Sequence, residues 1–166
     1  MERFETPDAD TRAVAPIGNG TADPRRLGFV RGVDDVLFVY GTLQFPAVLI
    51  ELLGHCPSLE PVEVSGWRVA ALPGRLYPGL VSRPASVAGG VLLTGLADAE
   101  WKVLDAFEDA EYDLSPLVVP GHARVLTYVW TAEVSPEDWD ADRFALDHLA
   151  EFTARCVRWR AGLSTF

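Results

Sequence analysis

Soft metal ligands and thiols are scarce in this chain: two cysteines, one methionine and three histidines among 166 residues. Cys56 and Cys156 stand far apart, which excludes a small disulfide scaffold, and the chain reads as a cytoplasmic protein with free thiols. His55-Cys56-Pro57 is the one local cluster of metal-ligand types, but neither it nor His122, His148 and Cys156 has finger-type spacing, so no metal is expected. Long hydrophobic runs are missing too. No stretch approaches the roughly 18 apolar residues of a membrane helix, and the beginning, with Glu2 and Glu5, has no apolar segment of signal-peptide length. Basic clusters are equally rare. A net charge of −10 and a pI near 4.6 repel nucleic acid and anionic membrane, so neither is expected as a partner. Arg25-Arg26 is the largest basic run before Arg155, Arg158 and Arg160, whose charges suit the C-terminal end of a helix.

What is abundant is apolar surface. At 49% hydrophobic residues the chain can fill one core, and two domains would be cramped. Residues 1–33, with Pro7, Pro16, Pro24 and Gly18-Asn19-Gly20, show neither strand nor helix period and are expected to form an extension of little structure, with Phe29-Val30 a possible extra contact. The domain is expected to span residues 34–166. It opens on Val36-Leu37-Phe38-Val39-Tyr40, an unbroken apolar run of the kind found in strands buried on both faces, which stops at Gly41-Thr42-Leu43 before a helical pattern beginning near Phe45-Pro46. Gly41 permits positive φ or a close approach. The turn is either a plain structural connection or, through the amides of a helix start, a seat for a carboxylate or phosphate. Val48, Leu49, Leu52 and Leu53 give the helix its apolar face, and Gly54 ends it.

Strands are expected around Val62–Val69, with Gly66 as a bulge, and around Val87–Leu96. Between them Tyr77 precedes Pro78, which biases its backbone to extended geometry; the ring either lines a cavity or packs on the surface. Asp98 to Asp109 reads as a helix with Asp98 as N-cap. Steps of roughly 100° gather Trp101, Val103, Leu104 and Phe107 on one arc, and Asp98, Lys102, Asp105 and Asp109 on the solvent arc. Glu108 falls on the apolar arc. There burial and the dipole would both raise its pKa toward the range of a general base at neutral pH; alternatively it bends out to water at the helix end. A hairpin is expected from Leu117–Val119 and Ala123–Trp130 across Pro120-Gly121, then a long helix entered at Ser135-Pro136-Glu137-Asp138, whose core stripe is Ala145, Leu149, Phe152, Cys156 and Trp159. So many adjacent strands fit an α+β domain in which a curved, partly closed sheet is flanked by helices.

In this order and spacing, Val36-Leu37-Phe38-Val39-Tyr40-Gly41-Thr42-Leu43, the Gly66-Trp67 strand, Leu76-Tyr77-Pro78-Gly79 and Leu104-Asp105-Ala106-Phe107-Glu108-Asp109-Ala110-Glu111-Tyr112 resemble the gamma-glutamylcyclotransferase-like family. The Phe-Glu-Asp form and Thr127-Tyr128-Val129-Trp130 resemble the branch of the avirulence-induced plant proteins and their bacterial relatives. The resemblance covers about Val36 to Trp130 and implies a small mixed β-barrel flanked by helices around a cavity. It implies a metal-independent enzyme without cofactor that releases 5-oxoproline from a small γ-glutamyl amide. Glu108 would be the proton acceptor. The turn Tyr40-Gly41-Thr42-Leu43-Gln44-Phe45 would hold the γ-glutamyl end, and Tyr77 and Tyr112 would bind substrate beside it. The chemistry needs no protein nucleophile, because the substrate's own α-amine attacks its side-chain carbonyl. Leu114 stands where family members often carry an arginine. The competing reading is a small-ligand-binding or interaction protein on the same fold.

Overall fold

The computed structural model describes residues 34–163, so the expected extension, with Phe29 and Val30, lies outside the described residues. The chain runs β1 (Val36–Val39), a 3-10 turn (Thr42–Gln44), α1 (Pro46–Leu53), β2 (Ser58–Ala70), β3 (Gly79–Thr94), α2 (Asp98–Phe107), β4 (Tyr112–Leu117), β5 (Val125–Trp130), α3 (Ala141–Asp147) and α4 (Leu149–Leu163). Among the described residues the strands form one mixed sheet in the order β2-β3-β1-β5-β4. The first strand is central, antiparallel to β3 and parallel to β5. Leu37 and Val39 pack on the helical side while Phe38 and Tyr40 belong to a second apolar cluster on the opposite face, which is why the run shows no polar alternation.

The curvature of the sheet creates the site. Between β2 and β3 the register jumps from Ser65↔Val87 to Trp67↔Ser82, at Gly66 with φ +89°, so the long hairpin bends there. β1 stops at Val39, and beyond its end the first residues of β3 cross to meet β5 at Leu80↔Val129. The sheet curls toward a barrel without closing. The close crossing of β1 and β3 depends on Gly90, where a Cβ would lie 2.3 Å from the Val39 carbonyl oxygen and against the Phe38 ring.

Several boundaries differ from the sequence expectation. The strand before the hairpin is Tyr112–Leu117 rather than Leu117–Val119, and it carries Pro116 because it lies at the edge of the sheet, where a missing N–H is tolerated. The C-terminal helical region starts at Ala141, not at Ser135. The carbonyls of Ser135, Pro136 and Glu137 all accept from the buried Arg68 guanidinium at 2.8–2.9 Å, Asp138 pairs with it at 2.6 Å, and Glu137 also accepts from the Ala71 amide. Carbonyls aimed at one guanidinium cannot continue a helix; Asp140 supplies the N-cap instead, accepting from the Arg143 amide. The region is broken at His148 into two helices, of which Phe152 and Cys156 are buried in the core with Phe144. Both cysteines are free, and burial pushes the Cys156 thiol up to about 12. No helix among the described residues is long and apolar enough to cross a membrane.

Candidate active site

The pocket forms where β1 gives out. Tyr40, Gly41, Thr42 and Leu43 leave the strand end and make one wall; Tyr77 and Pro78, from the loop between β2 and β3, make the second; Phe107, Glu108 and Asp109 at the end of α2 make the third. Val39, Tyr112, Tyr128 and Phe152 complete the lining, around an empty space of about 480 Å³ including the open mouth.

Gly41 has φ −119°, so a positive φ is not the reason for glycine, contrary to one of the two uses the sequence allowed. Close approach is the reason: a Cβ there would sit 2.8 Å from two ring carbons of Pro78. After it the amides of Gln44 and Phe45 close the 3-10 turn on the carbonyls of Gly41 and Thr42. The amides that precede them open the turn and have no acceptor within it, which is the usual condition of the first N–H groups of a helical segment.

Glu108 is reached differently from the helical projection. The helix ends at Phe107, and Glu108 is its C-cap with extended backbone, φ −71° and ψ 142°. The stop is made by Asp109, whose side chain accepts from the Glu111 amide at 3.3 Å and whose carbonyl accepts from Tyr112, turning the chain into β4. Glu108 therefore enters the pocket as the first residue beyond the helix, half-buried, rather than from its apolar face. At the other end the N-cap is Ala97, not Asp98; the Glu100 side chain accepts from the Ala97 amide at 3.0 Å.

Two residues expected in solvent are not there. Asp105 is buried, 1% exposed, and accepts from the Tyr128 hydroxyl at 2.6 Å. Asp109 lines the pocket, and its Oδ2 accepts from the Tyr77 hydroxyl at 2.9 Å. Arg75 stands beside it, with Nη2 3.0 Å from Glu111, Nε 3.7 Å from Asp109 and the guanidinium over the Trp130 ring. Positive charge at this end thus comes from Arg75, while Leu114 is buried on β4 opposite Tyr128.

The phenols are fixed donors. Tyr40 donates to the Tyr128 carbonyl and Tyr112 to the Pro78 carbonyl, each at 2.5 Å. Burial, then the nearby Glu108, holds Tyr40 well above the ordinary range of a phenol; burial, then Tyr40 and Glu108, does the same for Tyr112; burial and Asp109 raise Tyr77. All three stay protonated at neutral pH, and Glu108 and Asp109 are the carboxylates among the described lining residues.

Of the residues expected to bind substrate, Tyr40, Gly41, Thr42, Leu43, Tyr77, Tyr112 and Glu108 meet in this pocket. Gln44 and Phe45 do not line it. Gln44 donates to the Tyr40 carbonyl at 2.9 Å and lines a separate groove beyond Tyr40, and the Phe45 ring packs on Phe144 with centroids 5.5 Å apart. Asp109, Pro78 and Phe152 line the pocket without having been singled out as site residues. No group of three or more His, Cys, Asp and Glu among the described residues is placed to hold a metal ion.

Residues 37–143 match the family described as Gamma-glutamyl cyclotransferase, AIG2-like. The chain belongs to this family. Arabidopsis thaliana AIG2-like protein C is 36% identical over 116 residues, covering 65% of this chain and 67% of the relative. Protein AIG2 B of the same plant is 30% identical over 135 residues, 75% of this chain and 80% of its own length. A solution structure from Arabidopsis thaliana superposes with a TM-score of 0.55 at 28% identity, over 73% of this chain and 87% of that one. The crystal structure of an uncharacterized Pyrococcus horikoshii protein shares the fold at 15% identity, with a TM-score of 0.54 over 68% of this chain and 96% of the other. This AIG2-like chain therefore carries the family's mixed α+β fold, with its pocket at the end of the central strand.

Proposed function

We propose that the protein is a γ-glutamylcyclotransferase that converts a small γ-glutamyl amide into 5-oxoproline and a free amine. The observation that carries this reading is the meeting of Glu108 with the Gly41–Leu43 turn in one pocket that otherwise offers protonated phenols, a threonine and Asp109. The opening amides of the turn take the substrate's negative oxygen, first its α-carboxylate or then the oxyanion that develops on the γ-carbonyl. Glu108 removes a proton from the α-ammonium. The freed amine attacks the γ-carbonyl carbon and the new C–N bond closes the five-membered ring; the leaving nitrogen takes the proton back from Glu108 as the old amide C–N bond breaks, and the ionised Glu108 then removes the second proton from the ring nitrogen, which ends as the lactam N–H, and passes it to the released amine. No metal, cofactor or protein nucleophile enters this scheme, and the tyrosine walls hold the flexible chain in its folded, attacking shape.

Incubation of the purified protein with a panel of γ-glutamyl amines, γ-glutamyl amino acids and γ-glutamyl peptides, with 5-oxoproline measured, tests the reading. Turnover of at least one class is expected. Binding without 5-oxoproline from any of them would favour the ligand-binding alternative.

A further inference from the structure

Asp109 lies in the pocket wall beside the proposed base, has a side chain only 14% exposed, and is held more firmly than its place after a helix end requires. One oxygen accepts from the Tyr77 hydroxyl and the other from the Glu111 amide. Arg75 is close, but its nearer contact is to Glu111 at 3.0 Å, against 3.7 Å to Asp109. A γ-glutamyl substrate arrives with an α-ammonium carrying three N–H groups. Until a proton leaves to Glu108 this group is a cation; Tyr40, Tyr77 and Tyr112, neutral and donating their hydroxyl hydrogens inside the protein, can accept from it but offer it no counter-charge. Among the described lining residues Asp109 is the carboxylate beside Glu108 that can face a cation.

We propose that Asp109 is the ammonium seat of the pocket: a carboxylate aimed by Tyr77 that binds the substrate's α-ammonium and so selects ligands bearing an α-amine, while Glu108 takes the proton. This inference rests on the γ-glutamyl reading of the pocket. Its kinetic signature is distinctive. A carboxylate that stabilises the ammonium acts on the ground state more than on the transition state, where that charge is gone, so its loss raises KM without lowering kcat, whereas loss of the base lowers kcat.

The test compares two probes by calorimetric titration: L-glutamine, the simplest γ-glutamyl amide, and glutaramic acid, the same molecule without its α-amine. The unsubstituted protein is expected to bind glutamine about tenfold more tightly or better, as one partly buried charge pair allows. Asp109→Asn should erase most of that preference by weakening glutamine and leaving glutaramic acid within about twofold. Tyr77→Phe, which keeps Asp109 but removes the hydroxyl that aims it, should lower the preference partway and serves as the test where Asp109→Asn does not fold. Equal weakening of both probes would reduce Asp109 to a structural turn residue, and an unchanged preference in Asp109→Asn would place the ammonium elsewhere; either overturns the assignment while the cyclotransferase reading stands. Equal binding of the two probes by the unsubstituted protein overturns it as well. Binding of neither probe would sink the γ-glutamyl reading together with this one.

Discussion

Asp105 and Asp109 sit four residues apart in the sequence, as do positions on one face of a helix, yet they do different work because the helix stops between them. Asp105 is inside α2 and buried against Tyr128, whose hydroxyl it accepts and whose carbonyl in turn accepts from Tyr40. The carboxylate thus steadies two walls of the pocket at once. Asp105→Asn keeps the volume but weakens the acceptor and adds buried N–H groups, so a loss of about 1–3 kcal/mol in folding free energy is expected from urea unfolding. A change within about 0.5 kcal/mol, the usual range of a solvent-facing site, would return Asp105 to the surface. The 100° projection placed Asp105 in solvent because charge is normally exposed and no residue in its own helix announces a phenol arriving from β5. For Glu108 the sequence leaves an inward and a water-facing position open, and it lines the pocket for another reason than its arc: the backbone leaves the helix there, and the Asp109 turn that makes it leave looks, in sequence, like one more acid among several.

At the scale of elements, β1 was legible because a strand buried on both faces has no polar alternation, and α1 because proline opens it and Gly54, at φ +83°, closes it. The edge strand β4 is displaced from the expected Leu117–Val119, since Asp113, Ser115 and Pro116 interrupt its apolar pattern while its partner β5 supplies the hydrogen bonds. Long-range contacts also decided the start of the C-terminal helices, where Arg68 on β2 claims the carbonyls of residues 135–137. The β1–β3 crossing gives a paired test of such contacts. Gly90→Ala drives a Cβ into the Val39 carbonyl and is expected to cost about 1–3 kcal/mol or to prevent folding, while Gly89→Ala, whose Cβ meets nothing within 4 Å, should leave the melting midpoint nearly unchanged. Similar effects from both substitutions would mean that the crossing is looser than the contact distances require.

For the molecule as a whole, the curled mixed sheet follows from one short central strand: β1 ends, the β2–β3 hairpin bends at Gly66 of β2, the start of β3 crosses to β5, and a tyrosine-walled pocket lies at the strand end. Strand content and order made the α+β class readable, whereas the partial closure rests on the β3–β5 contact, between residues far apart in sequence. Removing residues 1–33 is expected to leave the melting transition nearly unchanged, and a loss of more than about 2 kcal/mol would assign Phe29 and Val30 to the core. The reading of the whole turns on Glu108. 5-Oxoproline release, measured side by side for the unsubstituted protein and Glu108→Gln on whichever γ-glutamyl amide is turned over fastest, tests it most directly. Glutamine keeps the volume and removes the base, so the rate should fall by about 10²-fold or more, with the fold and ligand binding retained; an unchanged rate would contradict the assignment of Glu108 as the group that takes the proton.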